Sequence, residues 1–227
     1  MYPKGIETNN YKINKYTLVY MSKKTLAIEL SKIKRFDGPK DELEQHITEP
    51  DIAAQALWAA HMNGLIKEKT IVDLGAGTGV LGIGCLLLGA KKVIFVEKDL
   101  EAISVLEENL LRIKEDYEEI GETEIITKDV TVLGRVQADL VVQNPPFGTR
   151  NAHIDKAFLE KAMEISDVII TMHKTETDQF IRNLFESNNF KVLQADKVFF
   201  PLRMTLKHHR KKTEHIRVTC WYARRNS

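Results

Sequence analysis

The chain has 227 residues, 43% of them hydrophobic and 29% charged, a length that suits one α/β domain with a sizeable core and is short for two full domains. Its 33 basic residues nearly balance 32 acidic ones, so overall charge argues neither for nor against a nucleic-acid partner. Two distant cysteines in apolar surroundings, Cys85 and Cys220, lack the Cys-x-x-Cys spacing of a zinc site or redox pair and read as core thiols.

Met1 to Tyr20 mix Lys, Asn and Tyr without a sustained helical period, so they read as an N-terminal extension without fixed structure, with Met21 as an alternative start. Residues 21–227 read as a single domain. Leu26, Leu30 and Ile33 fall at helical spacing before Asp37-Gly38-Pro39 breaks the segment. Pro50 opens a second helix whose stripe is Ile52, Ala53, Ala56, Leu57 and Ala60. Thr70 to Leu74 reads as a buried strand, Val80 to Leu88 as a helix closed by Gly89, and Lys92 to Val96 as the next strand, which makes a βαβ unit.

Asp99 is placed to cap a helix with apolar positions Ala102, Ile103, Leu106, Leu110 and Ile113, and Glu115 to Glu119 reads as the solvated loop that ends it. Further strands are expected at 124–127, 138–142, 167–171, 191–199 and 214–222, with helices at 155–165 and 175–188. The last two strands have no helix between them. The expected fold is therefore α/β, a mostly parallel seven-stranded sheet with a C-terminal antiparallel hairpin at one side. No apolar run approaches the roughly 18 to 20 residues of a membrane span and no signal-type apolar region opens the chain, so a soluble, cytoplasmic protein is expected.

Charge is unevenly distributed: Glu97 to Glu124 holds eleven acids and three bases, whereas Lys197 to Ser227 holds nine bases and one acid. A local basic excess marks either an anionic partner or a solvated tail.

The turn after the first strand, Asp73-Leu74-Gly75-Ala76-Gly77-Thr78-Gly79, opens the backbone to a ligand at a helix N-terminus. Gly77 to Gly82 also satisfies the dinucleotide fingerprint, with Glu97 standing 20 positions beyond Gly77, so NAD is an alternative on this motif alone. Asp73 favours S-adenosylmethionine: a carboxylate there suits the ammonium of a methionine moiety and repels a pyrophosphate. Glu97 is placed to accept ribose hydroxyls. Asp129 is placed either to accept from the adenine amine or to serve as a turn or cap aspartate.

Asn144-Pro145-Pro146-Phe147 stands 71 positions after Asp73, at the carboxyl end of an apolar strand. An adenine amine is a poor nucleophile because its lone pair is delocalised into the ring. Acceptance of its two hydrogens by the Asn144 side-chain oxygen and the Pro145 carbonyl would turn the nitrogen toward a tetrahedral shape and aim the lone pair at the methyl group. The prolines stiffen the clamp, and Phe147 offers a face for a base. Together the motifs predict a Rossmann-like methyltransferase acting on a planar nitrogen. The same clamp suits a protein glutamine N5 or a guanine N2, and a cofactor-holding RNA-binding or assembly module without turnover is the non-enzyme alternative. Phe147 in place of Tyr, with the basic turn Lys207-His208-His209-Arg210-Lys211-Lys212, favours nucleic acid, the turn reading either as a phosphate contact or as a solubilising loop. His173 ends the strand after the clamp strand and reads either as facing the pocket or, in preference, as a surface or capping histidine, and His46, His61 and His153 have no metal-ligand spacing.

From about Met21 onward these residues resemble the methyltransferase-like protein 5 family of ribosomal RNA adenine-N6 methyltransferases. The likeness rests on Leu43-Glu44-Gln45, Thr48 to Ile52, Asp73 to Gly79, Glu97, Asp129, Asn144 to Thr149 and Lys207 to Lys212. It implies cofactor contacts from Gln45, Thr48, Asp73, Gly75, Gly77, Glu97, Asp129 and Asn144. It also implies a target adenine at Asn144, Pro145, Pro146 and Phe147, and a small-subunit ribosomal RNA substrate. It further implies a small zinc-binding activator of the tRNA-methyltransferase-112 type added at a sheet edge, which is physically reasonable for an exposed strand. Two departures stand out: Glu97 where an Asp is common, and a long acidic segment from Leu111 to Glu122.

Overall fold

The computed structural model describes residues 21–35, 48–147, 153–203 and 213–226. Gln45, Gly148, Thr149 and the basic turn Lys207, His208, Arg210, Lys211 and Lys212 lie outside them.

Helix α1 (Lys23–Ser31) starts where the Ser22 side chain accepts the Thr25 backbone N–H at 3.1 Å. Helix α2 (Pro50–Met62) begins on a proline whose missing N–H costs nothing in the first turn. Leu26 and Leu30 of the first and Ala53, Ala56, Leu57 and Ala60 of the second are buried, as their spacing predicts. Strand β1 (Thr70–Leu74), α3 (Val80–Leu87) and β2 (Lys92–Glu97) form the βαβ unit. Helix α3 is buried on every side, and it lies so near β2 that a Cβ on Gly82 would stand 2.2 Å from the Phe95 ring. Gly82, the third glycine of the dinucleotide-like fingerprint, thus serves helix–strand packing. Asp99 caps α4 (Leu100–Asp116) by accepting Glu101 N–H at 3.2 Å, and the five apolar positions named from the sequence all face inward.

The sequence reading of Glu115 to Glu119 needs one correction. Tyr117 is 3% exposed and packs into the core, because the helix ends one residue before it and turns its ring inward.

The remaining elements are β3 (Glu122–Thr127), β4 (Leu140–Gln143), α5 (Ile154–Ile165), β5 (Val168–Lys174), α6 (Asp178–Ser187), β6 (Phe190–Arg203) and β7 (Thr213–Arg225). They form one seven-stranded sheet in the order β3-β2-β1-β4-β5-β7-β6. Pairings from β3 through β5 are parallel, and β7 pairs antiparallel with both β5 and β6. The hairpin strands run to 14 and 13 residues, well past the spans read from sequence. Pro201 is tolerated within β6 because that strand is a sheet edge, where one side of the backbone needs no partner. A bulge between Val192 and Gln194 adjusts the register.

Alternating strand residues build two cores. On one face Ile71, Val93, Phe95, Val142, Met172 and Cys220 meet helices α1 to α4; on the other Val72, Ile94, Val141, Ile169 and Trp221 meet α5 and α6. Cys85 and Cys220 are both free and buried, as expected. No helix among the described residues is long and apolar enough to cross a membrane.

Candidate active site

The two motifs leave neighbouring strands at the same level. In the β1–β4 pairing Leu74 lies opposite Gln143, so Gly75 and Asn144 are the next residues out of adjacent parallel strands, about 4.8 Å apart in the direction of the sheet's hydrogen bonds. The glycine loop and the clamp thus share the carboxyl edge of the sheet, where α/β proteins hold their ligands.

The loop is tied down from both sides. Gly75 and Ala76 donate to the Val96 carbonyl at 2.9 and 3.0 Å, and Gly79 donates to Ala76 at 2.9 Å. Gly79 has φ of +92° and a Cβ there would stand 2.4 Å from Leu106 Cδ1, so only glycine fits the first residue before α3. The glycines therefore satisfy backbone shape and packing as well as clearing the way for a ligand.

Asp73 is 1% exposed, and its Oδ2 accepts the Gly82 N–H at 2.8 Å. Desolvation raises its carboxyl, the Gly82 N–H draws it down and nearby Glu97 pushes it up, with a net value of about 7. A buried acid so poised gains from a cation placed beside it.

Glu97 closes β2 and binds three backbone N–H groups: Lys98 and Asp99 on Oε1 at 2.8 and 2.9 Å, and Gly77 on Oε2 at 2.9 Å. Each oxygen has two lone-pair directions, so among the described residues one acceptor direction remains, on Oε2. Asp129 accepts from Thr131 N and Oγ1 at 2.9 and 2.7 Å, capping a short turn at 130–132, and pairs with Lys98 Nζ at 2.9 Å. Burial raises its carboxyl, but the bonds from Thr131 and Lys98 outweigh it and leave the group below its ordinary value. The cap arrangement anticipated as one of its two readings is present.

In the clamp, the Asn144 side-chain nitrogen donates to Thr48 Oγ1 at 3.0 Å, and its Oδ1 is buried without a hydrogen-bond partner among the described residues. A buried amide oxygen left so is an unmet acceptor. Thr48 itself is 6% exposed and sits two residues before the start of α2. Phe147 is 7% exposed, meets Phe200 edge to face with centroids 6.2 Å apart, and carries the Lys174 ammonium 5.8 Å from its ring centroid.

His173 departs from its sequence reading. It is 1% exposed, and desolvation depresses its pKa to about 3, so the ring is neutral. Gln143 Nε2 donates to Thr171 Oγ1 at 3.0 Å, which leaves the threonine proton for His173 Nε2 at 2.8 Å. His173 Nδ1–H then faces the Asp155 carboxylate, 4.0 Å away, at the start of α5. This buried polar line runs from the residue before the clamp to the helix after it. Sequence reasoning missed it; the signal was a glutamine ending an otherwise apolar strand. Among the described residues no cluster of three or more His, Cys, Asp or Glu side chains could hold a metal.

Residues 50–198 match the family described as conserved hypothetical protein 95, a span that includes both the loop and the clamp. The chain is 32% identical over 204 residues to the rRNA N(6)-adenosine-methyltransferase METTL5 of Danio rerio, covering 87% of this chain and 96% of that one. The chain belongs to the METTL5 family. At 34% identity it is also similar to the uncharacterised protein MJ0284 of Methanocaldococcus jannaschii, over 87% of this chain and 92% of that one. Among solved structures, PH1948 from Pyrococcus horikoshii, described as a candidate RNA methyltransferase, is 42% identical, with a TM-score of 0.81 and coverage of 90% of this chain and 98% of that one. The similarity to METTL5 thus extends well beyond the two motifs, to 87% of this chain.

Proposed function

We propose that this chain transfers a methyl group from S-adenosylmethionine to N6 of an adenine in ribosomal RNA. The carrying observation is the unmet Oδ1 of Asn144, held in place through Thr48 and set one strand away from the glycine loop. Asp73 takes the methionine ammonium, the loop receives the methionine end, Glu97 accepts a ribose hydroxyl on Oε2 and Asp129 receives the adenine amine. Gln45 adds a cofactor contact in this reading, and residues 21–227 act as one catalytic unit in the cytoplasm.

The chemistry follows from the clamp. Asn144 Oδ1 and the Pro145 carbonyl accept the two hydrogens of the target amine, and the nitrogen lone pair swings out of the ring plane. It attacks the methyl carbon as the carbon–sulfur bond breaks, the sulfur keeping that electron pair as a neutral thioether. The alkylated ammonium is strongly acidic and gives its proton to water. Orientation and fixed dipoles supply the catalysis.

The substrate is read as small-subunit ribosomal RNA, with Lys207, His208, Arg210, Lys211 and Lys212 on its phosphates. A small zinc-binding activator fits β3, the sheet edge opposite the hairpin, by strand addition.

The test is transfer from labelled S-adenosylmethionine to unmodified small-subunit ribosomal RNA, with nucleoside analysis of the product. Label in N6-methyladenosine supports the reading; label in N2-methylguanosine or in protein glutamine overturns the substrate.

A further inference from the structure

The hairpin carries a surface that the clamp does not use. Phe199 on β6 is 69% exposed, the register sets it directly opposite Arg217 on β7, and Arg217 is exposed as well. Directly opposed residues of an antiparallel pair share a sheet face. Lys197, two residues before Phe199 and so on that same face, lies 3.6 Å from Asp178 with 65% of its side chain exposed. The next residue, Phe200, points to the other face and packs against Phe147 of the clamp. The hairpin is thus fixed to the clamp through one aromatic ring while it presents another to solvent between two cations.

We propose that Phe199, with Arg217 and Lys197, is a stacking platform for an unpaired RNA base a few nucleotides from the target adenine. The proposal rests on the RNA-methylation reading of the clamp and adds a second contact to it. An exposed ring is a good stacking partner for any base, and cations beside it suit the flanking phosphates. From β4 to β6 is three strand spacings, about 14 Å. Phe199 also lies about three residues further along the strands than Asn144, so at the roughly 3.4 Å per nucleotide of a stacked strand the platform stands about four to five nucleotides from the clamped base.

The test uses the full chain and a fluorescein-labelled, unstructured pyrimidine RNA with one central adenine. Binding is followed by anisotropy and methyl transfer by label. Phe199→Ala is expected to weaken RNA binding about tenfold, the loss of one base stack, with S-adenosylmethionine affinity and kcat at saturating RNA unchanged. Phe199→Trp restores binding, and Arg217→Gln weakens it with a shallower salt dependence. Unchanged RNA affinity in both Phe199→Ala and Arg217→Gln overturns the platform. So does a defect in Phe199→Ala seen only when a protein partner is added, which assigns the ring to a protein contact. A wild-type chain that binds this RNA in a Phe199-dependent way upholds the platform, and one that also transfers no methyl to unmodified small-subunit ribosomal RNA with the activator present defeats the methylation reading.

Discussion

Thr48 Oγ1 takes an amide hydrogen of Asn144 at 3.0 Å, across 96 residues of sequence, while the amide Oδ1 is buried without a partner among the described residues. In the proposed mechanism that oxygen is the atom presented to the target amine. Asn144→Ala is expected to lower transfer by at least about 10²-fold, the scale of a lost transition-state hydrogen bond, with cofactor affinity near wild type. Thr48→Val frees the amide to turn and is expected to cost roughly tenfold in kcat, about 1.4 kcal/mol, with Thr48→Ser retaining activity. Calorimetric S-adenosylmethionine titration separates the two roles read for Thr48: an affinity that falls with Thr48→Val assigns it to the cofactor as well.

Glu97 joins the glycine loop to the start of α4 through three backbone N–H groups. Glu97→Ala removes all three acceptors. The expected result is a stability loss of roughly 2 kcal/mol, within the range for hydrogen bonds to a charged group, and cofactor binding weakened at least tenfold. Thermal unfolding with and without S-adenosylmethionine measures both. Lower stability with unchanged cofactor affinity confines Glu97 to anchoring the loop.

Asp73 makes cofactor binding pH-dependent. Its carboxyl stands at about 7 in the folded chain against an ordinary 3.8, so at pH 6 the empty site holds a proton that a bound ammonium displaces. Apparent S-adenosylmethionine affinity is expected to fall about tenfold per unit as pH drops below 7, with uptake of a proton by buffer on binding at pH 6. Asp73→Asn abolishes that slope. A wild-type affinity that is flat from pH 6 to 8 refutes the ammonium role.

His173 and Asp73 act on stability in opposite directions. His173 stays neutral when folded down to about pH 3 but takes a proton at 6.5 when unfolded, so acidification from 6.5 toward 3 favours the unfolded chain by about 1.4 kcal/mol per unit. The folded chain instead protonates Asp73 more readily than the unfolded one, so between pH 7 and 3.8 acidification favours the fold through that group. Their slopes offset over most of this window. Urea titrations at pH 4.5 and 6 are expected to show His173→Asn gaining stability relative to wild type on acidification, and Asp73→Asn losing it. Parallel pH profiles for all three proteins count against the assignment.

The parallel half of the fold was legible because short-range rules decide it: Pro50 and Asp99 mark helix starts, and Val80 to Leu88 is bounded by Gly79 and Gly89. The clamp and loop were legible as motifs, but their adjacency depends on which strand neighbours β1, a long-range choice that no local pattern states. The Gln143–Thr171–His173 line was hidden for the same reason. Each residue is unremarkable in its own strand, and the polar atoms find one another only across the β4–β5 pairing. Tyr117 escaped because four acidic neighbours, Glu115, Asp116, Glu118 and Glu119, dominate its segment while its ring alone finds the core.

β7 follows β6 in sequence but lies between β5 and β6 in the sheet. While the chain is being synthesised, β5 emerges with one side of its backbone paired to β4 and the other open, and it stays so until residues 213–225 have been made. Among the described residues β6 pairs only with β7, so its place in the sheet also waits on β7, whose docking beside β5 is a late, non-local step. Until then Phe200 has no place beside Phe147, and an unclosed strand edge is the site at which nascent chains aggregate. The enzyme's order of assembly therefore makes its reaction centre one of the last parts to take shape.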